Sequence, residues 1–397
     1  MKKAISIFLA LIMVFALFAC AKKTEAPPAS TPTAAPPAEP PAGGGDAPAP
    51  AAPGGSGGAD AGLHVGYWDD PVDHYARDTY KIAYYSFFSG SFVDSFYIAL
   101  QKTEKKLNIK VDFITANSDP EKFINTLELM ANYDGVLLDH DANTEKRTWD
   151  VIQDIGVPWI AFSTPFMDGP DASHNRWPTV ILDGKVVGDQ AVSWLCENYQ
   201  NYWGDIDPAK IGMINLTITT VGMMYDRGYG AEQAWLRYFP NNVYVEGDMA
   251  GQQITPETSY NMISAYVSSH PEVEYWFINT IMMLFPAGAA RAVETLGIDD
   301  KVLITCEESI TAIEEWDSGY RGSWCSAVGI AEELYAVPGA AGIVALIDGR
   351  ATPETLWGDT ITGQYGTDYA VYPLDTKVIT YDNYKQYFED INTKYFG

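Results

Sequence analysis

The chain has 397 residues, of which 52 are acidic, 25 are basic and 47% are hydrophobic, for a formal net charge of −27. At about 150 residues per domain this length suggests two domains, and the apolar fraction supplies a sizeable core and excludes a wholly disordered chain. The acidic balance argues against nucleic acid as a partner, because phosphate binding needs a basic face.

Lys2 and Lys3 precede an apolar run from Ala4 to Ala19, which is a charged start followed by a signal-peptide core. The run is short for a membrane span. It ends Leu17-Phe18-Ala19-Cys20, which resembles a bacterial lipobox. That resemblance implies that residues 1–19 are a lipoprotein signal peptide and that Cys20 is lipidated and becomes the mature N-terminus. Every acidic residue lies after Cys20, so the mature chain is slightly more acidic than the total.

From Ala21 to about Gly62 the chain is mostly Pro, Ala, Gly, Thr and Ser, with Pro-Pro at 27–28, 36–37 and 40–41 and Gly-rich stretches at 43–45 and 54–58. Such a composition cannot build a packed core. Residues 20–78 read as a mostly disordered stalk, stiff where Pro-rich and flexible where Gly-rich, that holds a globular body off a membrane.

After Tyr80 the pattern becomes strand and helix in alternation. Lys81–Tyr85 is a short apolar strand, Ser91–Leu107 a helix with Ser91 as N-cap, and Val111–Ile114 the next strand. Glu121–Ala131 is a helix started by Asp119 and Pro120. Gly135–Leu138 is a strand, Thr144–Ile155 a helix and Pro158–Phe162 a strand. The same rhythm restarts at the strand Ile211–Ile214 and the helix Tyr225–Tyr238. Strands Val243–Val245, Tyr275–Ile278 and Val302–Ile304 then alternate with helices Thr258–Ser269 and Pro286–Leu296. Short strands spaced by helices argue for right-handed crossovers and parallel sheets. Two such series make an α/β protein of two doubly wound parallel-sheet lobes. Ligands of open parallel sheets bind beyond the carboxyl ends of the strands, so two facing lobes would enclose a cleft.

Several segments, taken in order, resemble the type I periplasmic-binding-protein family, the ribose- and arabinose-binding group of solute receptors for ABC importers. They are Lys81-Ile82-Ala83 opening the first strand, the helix Phe92–Leu107, the turn Asn117-Ser118-Asp119-Pro120, Gly156-Val157-Pro158-Trp159-Ile160, the His270-Pro271-Glu272-Val273 turn, and Asp375–Asn383 near the end. The resemblance covers roughly 79–397. It implies a hinge of three crossings, expected near Asp183, Ser326 and Leu374. The N-terminal lobe is then 79–183 plus 326–374, and the C-terminal lobe 184–325 plus 375–397.

The resemblance also implies ligand groups in the loops that follow strands, where a sugar would find aromatic faces and planar polar side chains. In the first lobe these are Ser86 at a strand end, Phe92 as a stacking ring and Asp139. His140 and Asp141, and the Phe92–Phe96 pair at helical spacing, also fit ordinary structural roles. Where the family carries Asp-Arg or Asp-Asp, this chain has Ser163 and Thr164 followed by Phe166, which removes a charged clamp. In the second lobe the candidates are Arg227, Asn279, Thr280, Glu307 and, as a late contact, Trp324. Glu307 and Glu308 also suit a charged helix start, and Trp324 a hinge core.

No nucleotide motif of the form G-x-x-x-x-G-K-[ST] occurs, and the G-x-S-x-G match at Gly54–Gly58 falls in the Gly-rich stalk rather than between a strand and a helix, where a hydrolase nucleophile would need it. The five His and the three cysteines after Cys20 (Cys196, Cys306 and Cys325) give no metal-ligand spacing and no disulfide framework. The expectation is a lipid-anchored, non-enzymatic solute receptor in the cell envelope, without cofactor or metal, monomeric, delivering a sugar or polyol to ABC permease subunits. The alternatives are a ligand-binding subunit for a membrane sensor, or a receptor for a nucleoside or amine-bearing solute, which the acidic candidates Asp139 and Glu307 would suit.

Overall fold

The structure is a computed structural model and describes residues 66–166, 177–220, 222–357 and 371–397. The signal sequence, Cys20 and most of the expected stalk lie outside the described residues.

The first sheet is wholly parallel. It is built from β1 (Tyr80–Ser86), β2 (Ile109–Thr115), β3 (Gly135–Asp139), β4 (Trp159–Phe162), β5 (Thr179–Ile181) and a late strand, β11 (Val371–Pro373), in the order β11-β5-β4-β3-β1-β2. The second contains β6 (Ile211–Thr217), β7 (Tyr244–Asp248), β8 (Tyr275–Thr280), β9 (Val302–Cys306), β10 (Trp324–Gly329) and β12 (Lys377–Thr380), in the order β12-β10-β9-β8-β6-β7. Only β12 runs antiparallel to its neighbour in that sheet. Two sheets with crossover helices make the two-lobed type I fold.

Local chemistry explains the helices. In α1 (Ser91–Leu107) the cap is Gly90, at φ 115°, and Ser91 is the first helical residue rather than the N-cap. Asp119 caps α2 (Pro120–Leu127) by accepting from the backbone N–H groups of Glu121 and Lys122, each at 3.0 Å. The expected single helix over 121–131 tightens into a 3₁₀ turn from Glu128 to Asn132. Then come α3 (Glu145–Ile152), α4 (Gly184–Trp203), α5 (Gly222–Tyr238), α6 (Pro256–Ser269), α7 (Pro286–Leu296), α8 (Ile310–Asp317), α9 (Glu333–Ile347) and α10 (Tyr384–Phe396). Each sheet carries a buried apolar cluster on both faces, which requires near-continuous apolar strands.

The chain passes from the first sheet to α4 after Ile181, and α4 packs on α5 of the second lobe. The second crossing lies later than Ser326. Ser326–Gly329 pair with β9 and β12, so they belong to the second sheet, and the chain changes lobe at about Ile330–Glu332 before α9 packs on α1, β3 and β4. The third passage lies between β11 and β12. The last helix is not confined to the second lobe. Tyr384 belongs to that lobe's core, whereas Ile391, Tyr395 and Phe396 pack on the core of the first.

The body also starts earlier than residue 79. Trp68 is 2% exposed, stands edge-on to Tyr395 and Phe396, and has the Lys106 ammonium 4.1 Å above its ring. Arg77 donates to the Leu107 carbonyl at 2.8 Å. The aromatic pair Tyr67-Trp68 supplies the apolar surface that the preceding sequence lacks, so residues 66–78 pack as part of the body.

Candidate functional site

Parallel strands deliver their carboxyl ends to one edge of each sheet, and the candidate groups gather there. In the first lobe Ser86 and Asp139 end neighbouring strands and sit directly opposite in register. The Ser86 hydroxyl donates to Asp139 Oδ2 at 2.8 Å and accepts from the Phe88 backbone N–H at 3.1 Å. Asp139 is fully buried, and that burial pushes its carboxyl up to about 7 against the opposing pull of Ser86. Tyr84, two residues earlier on the same strand face, is close enough to Asp139 for the carboxylate to raise its phenol further, beyond what burial does.

The loop after β1 then turns outward. Phe87 is buried against Phe123, while Phe88 and Phe92 present rings to solvent, Phe92 at 47% exposure. Phe92 touches Phe96 edge-on at 4.6 Å, so one edge is anchored while most of the ring stays free. Ser163 and Thr164 are half-buried at the end of β4, with Ser163 at φ 78° and its N–H on the Val180 carbonyl. Phe166 is elsewhere. It is fully buried on the opposite sheet face, stacked at 3.8 Å on His140. His140 is likewise buried, its ring nitrogens without hydrogen-bond partners and Glu145 4.0 Å away, and burial lowers its pKa. These two residues form core rather than cleft wall.

In the second lobe α4 and α5 pack backbone to backbone. A methyl group at Gly188 would lie 2.0 Å from the Arg227 carbonyl oxygen, and one at Gly230 2.1 Å from that of Lys185. That close approach sets Arg227 over the ends of β8 and β9. Arg227 is buried, and its Nη1 donates to the Ile281 carbonyl at 2.5 Å and to Glu308 Oε1 at 2.9 Å. Glu308 Oε2 accepts from the Met283 N–H at 3.0 Å. Burial opposes the Arg227 charge, but Glu308 and Glu307 hold its pKa above the ordinary value. Asn279 donates to Glu307 Oε1 at 2.7 Å and to Asn215 Oδ1 at 2.9 Å. Glu307 is fully buried, which pushes its carboxyl up to about 8, with Arg227 and Asn279 pulling it down. Thr280 is also buried and donates to the Thr305 carbonyl.

Trp324 does not join this group. Because β10 runs parallel to β9, the end near the cluster is Gly329, and Trp324 lies at the far end in the core. Its carbonyl accepts from the Trp316 indole at 3.2 Å. Glu307 is no solvated helix start either, since it has no exposed surface.

Tyr335, in the first turn of α9, was not among the sequence candidates. Its ring packs on Phe96 and Phe162 of the first lobe, and its hydroxyl lies within Coulombic reach of Asp139 as well as of Arg227 and Glu308. Tyr335 is thus a residue that feels charges from both lobes, Asp139 of the first and Arg227 and Glu308 of the second. Asn215 and Glu308 were also missed. Asn215 carried a readable signal, a lone amide inside the apolar strand Ile211–Thr217. Among the described residues, no cluster of three or more His, Cys, Asp or Glu could hold a metal ion, and no helix is long and apolar enough to cross a membrane.

A family model described as periplasmic binding protein domain matches residues 83–330. Solved structures share the fold. A periplasmic solute binding protein of an ABC transporter from Actinobacillus succinogenes, with bound D-allose, is 18% identical, covering 78% of this chain and 100% of that one at a TM-score of 0.57. The arabinose-binding protein AraP from Geobacillus stearothermophilus is 13% identical, covering 78% of this chain and 99% of its own at 0.60. A periplasmic ribose ABC transporter protein from Conexibacter woesei is also 13% identical, with 79% and 96% covered at 0.60. No curated protein matches the chain.

Proposed function

The chain belongs to the periplasmic binding protein family, a family of binding proteins rather than enzymes, and on that footing we propose that it captures a small polar solute, a sugar or polyol, in the cleft between its lobes. The observation that carries the reading is the convergence of buried polar groups from both sheets at their carboxyl ends. Ser86 and Asp139 come from one lobe, Asn279, Glu307 and Arg227 from the other, and the exposed Phe92 ring stands at the rim. Planar acceptors and donors beside an aromatic face suit hydroxyls and the C–H face of a sugar ring. Neighbours of the same fold bound to D-allose and myo-inositol support the same class.

The solute is handed to the permease of an ABC importer, outside the cytoplasm. The lipobox-like sequence ending at Cys20 supports a lipid anchor. A ligand that binds the folded state raises its stability by RT ln(1 + [L]/Kd), about 2.7 kcal/mol at a hundredfold excess over Kd. A thermal-shift panel of hexoses, pentoses, inositols, nucleosides and amines should give at least one clear rise in Tm among the sugars and polyols. A flat response across them would reject the reading. For the anchor, Cys20→Ser should move the protein from the membrane fraction to the soluble one. Retention of this variant on membranes would exclude lipidation at Cys20.

A further inference from the structure

The buried amide of Asn215 ties together four elements of the second lobe. It stands in β6, directly opposite Asn279 of β8 in register, and is 1% exposed. Its Nδ2 donates to the Gly228 carbonyl of α5 at 2.9 Å and to the Tyr244 hydroxyl of β7 at 3.1 Å, and its Oδ1 accepts from Asn279 Nδ2 at 2.9 Å. A backbone carbonyl only accepts, so the contact with Gly228 fixes which end of the Asn215 amide is nitrogen. The oxygen must then point at Asn279, and Asn279 must answer with its nitrogen. The remaining N–H of that nitrogen goes to Glu307 Oε1 at 2.7 Å. The polarity of one main-chain carbonyl is passed in this way through two amides to a carboxyl group. Glu307 receives at Oε1, and when it is neutral its proton belongs on Oε2. Gly228 also directly follows Arg227, so the same Asn215 amide holds the turn of α5 that carries the guanidinium.

Resting on the cleft reading above, we propose that Asn215 is a positioning residue for solute binding, which sets the donor and acceptor pattern of the Asn279–Glu307 pair and seats Arg227 while making no contact with the solute itself. Both of its N–H groups and its oxygen are engaged within the protein, so it has no free N–H to offer. It acts through its neighbours. An apolar side chain of the same size would leave Asn279 free to turn over, and with it the pattern that a ring of hydroxyls has to match. Because the amide is neutral, it holds that pattern without adding a charge beside Glu307 and Glu308, which already lie close to one another.

The test is titration calorimetry with D-allose, D-ribose, L-arabinose and myo-inositol, using whichever of them binds the wild type and taking each variant's affinity relative to the wild type at the same pH. Asn215→Leu is similar in size and removes all three hydrogen bonds. Its folded fraction should bind about tenfold or more weakly, the equivalent of about one buried hydrogen bond. Asn215→Asp keeps the shape and the oxygen that faces Asn279. Protonated, the introduced carboxyl still donates to the Gly228 carbonyl; ionised, it cannot. Burial pushes Asp139 up to about 7, and a carboxyl placed in an equally buried position should titrate in the same range. Asn215→Asp should therefore match the wild type at about pH 5.5 and fall about tenfold behind it by about pH 8. A purely structural role would not give that recovery, because lost packing does not return on acidification. Wild-type affinity in Asn215→Leu overturns the proposal and leaves the cleft reading standing, as does an Asn215→Asp ratio that stays constant with pH. If Asn215→Leu does not fold, Asn215→Asp decides alone. If no sugar or polyol binds the wild type or raises its Tm, the cleft reading itself falls, and this proposal with it.

Discussion

Replacing Asp139 by Asn removes a carboxyl that the fold buries with only the neutral Ser86 hydroxyl as its hydrogen-bond partner. Burial raises this group from 3.8 to about 7. That is roughly three powers of ten in proton affinity at about 1.36 kcal/mol each, so keeping the carboxylate charged in the folded protein costs on the order of 4 kcal/mol. The sign follows from proton counting. Between the unfolded and folded pKa values the native state holds a proton that the unfolded chain has lost. Stability therefore falls as pH rises through that window and is flat above it. The amide introduced by Asp139→Asn stays neutral throughout and can still pair with Ser86. Urea unfolding of the unliganded protein should show the two forms alike near pH 4, with the variant gaining on the wild type up to about pH 7. At pH 8 its advantage should be on the order of 4 kcal/mol. Glu307 titrates in both forms and cancels in the difference. A variant no more stable at pH 8, or an advantage that does not shrink on acidification, would refute the buried-carboxyl argument.

Phe92 and Trp324 separate binding from folding. Phe92→Ala removes a ring that is largely exposed, so stability should change by about 0.5 kcal/mol while affinity for the bound solute falls about tenfold. Trp324→Ala empties a core site and should lose about 3–5 kcal/mol with an unchanged Kd in whatever fraction folds. Chemical denaturation and calorimetry on both variants check the contrast, and a reversed pattern contradicts the site map. Trp68→Ala should lose about 3 kcal/mol by removing the ring from Tyr395 and Phe396. A thermal melt matching the wild type would mean that residues 66–78 contribute nothing to the body.

The two α/β series were legible because buried parallel strands read as short apolar runs and their helices as amphipathic ones. Lys81–Tyr85 and Ile211–Ile214 each fall within an observed strand. Carrying over the resembled family's positions picked out Ser86, Asp139, Asn279 and Glu307, and all four stand at or just beyond the carboxyl ends of strands. It failed where the strand itself was misplaced. With the second crossing set at Ser326, Trp324 looked like a late cleft residue, although a strand from Trp324 to Gly329 puts it at the opposite end. The segment Glu333–Ile347 gave no helical period because it is apolar all round, contains Pro338 and is buried on nearly every side. Tyr335 was lost with it. Phe166 followed the right strand but turned to the other face, and nothing in spacing records which way a loop turns.

The placement of the acids says how closure and binding are coupled. Asp139 stands on the first sheet and Glu307 on the second, and the Tyr335 ring lies at the point where the chain has just changed lobe. In a fold that closes by hinge rotation, opening returns water to both carboxyls and relieves the penalty of burying them. Both carboxyls are fully buried here, and burial raises the pKa of each. Under the proposed cleft reading, a solute that hydrogen-bonds to them offsets that penalty only when the lobes are together, so its binding free energy would differ between open and closed forms. The same burial that makes the acids unfavourable for stability thus makes closure depend on the ligand, and substitutions that neutralise them should loosen that dependence as they raise Tm.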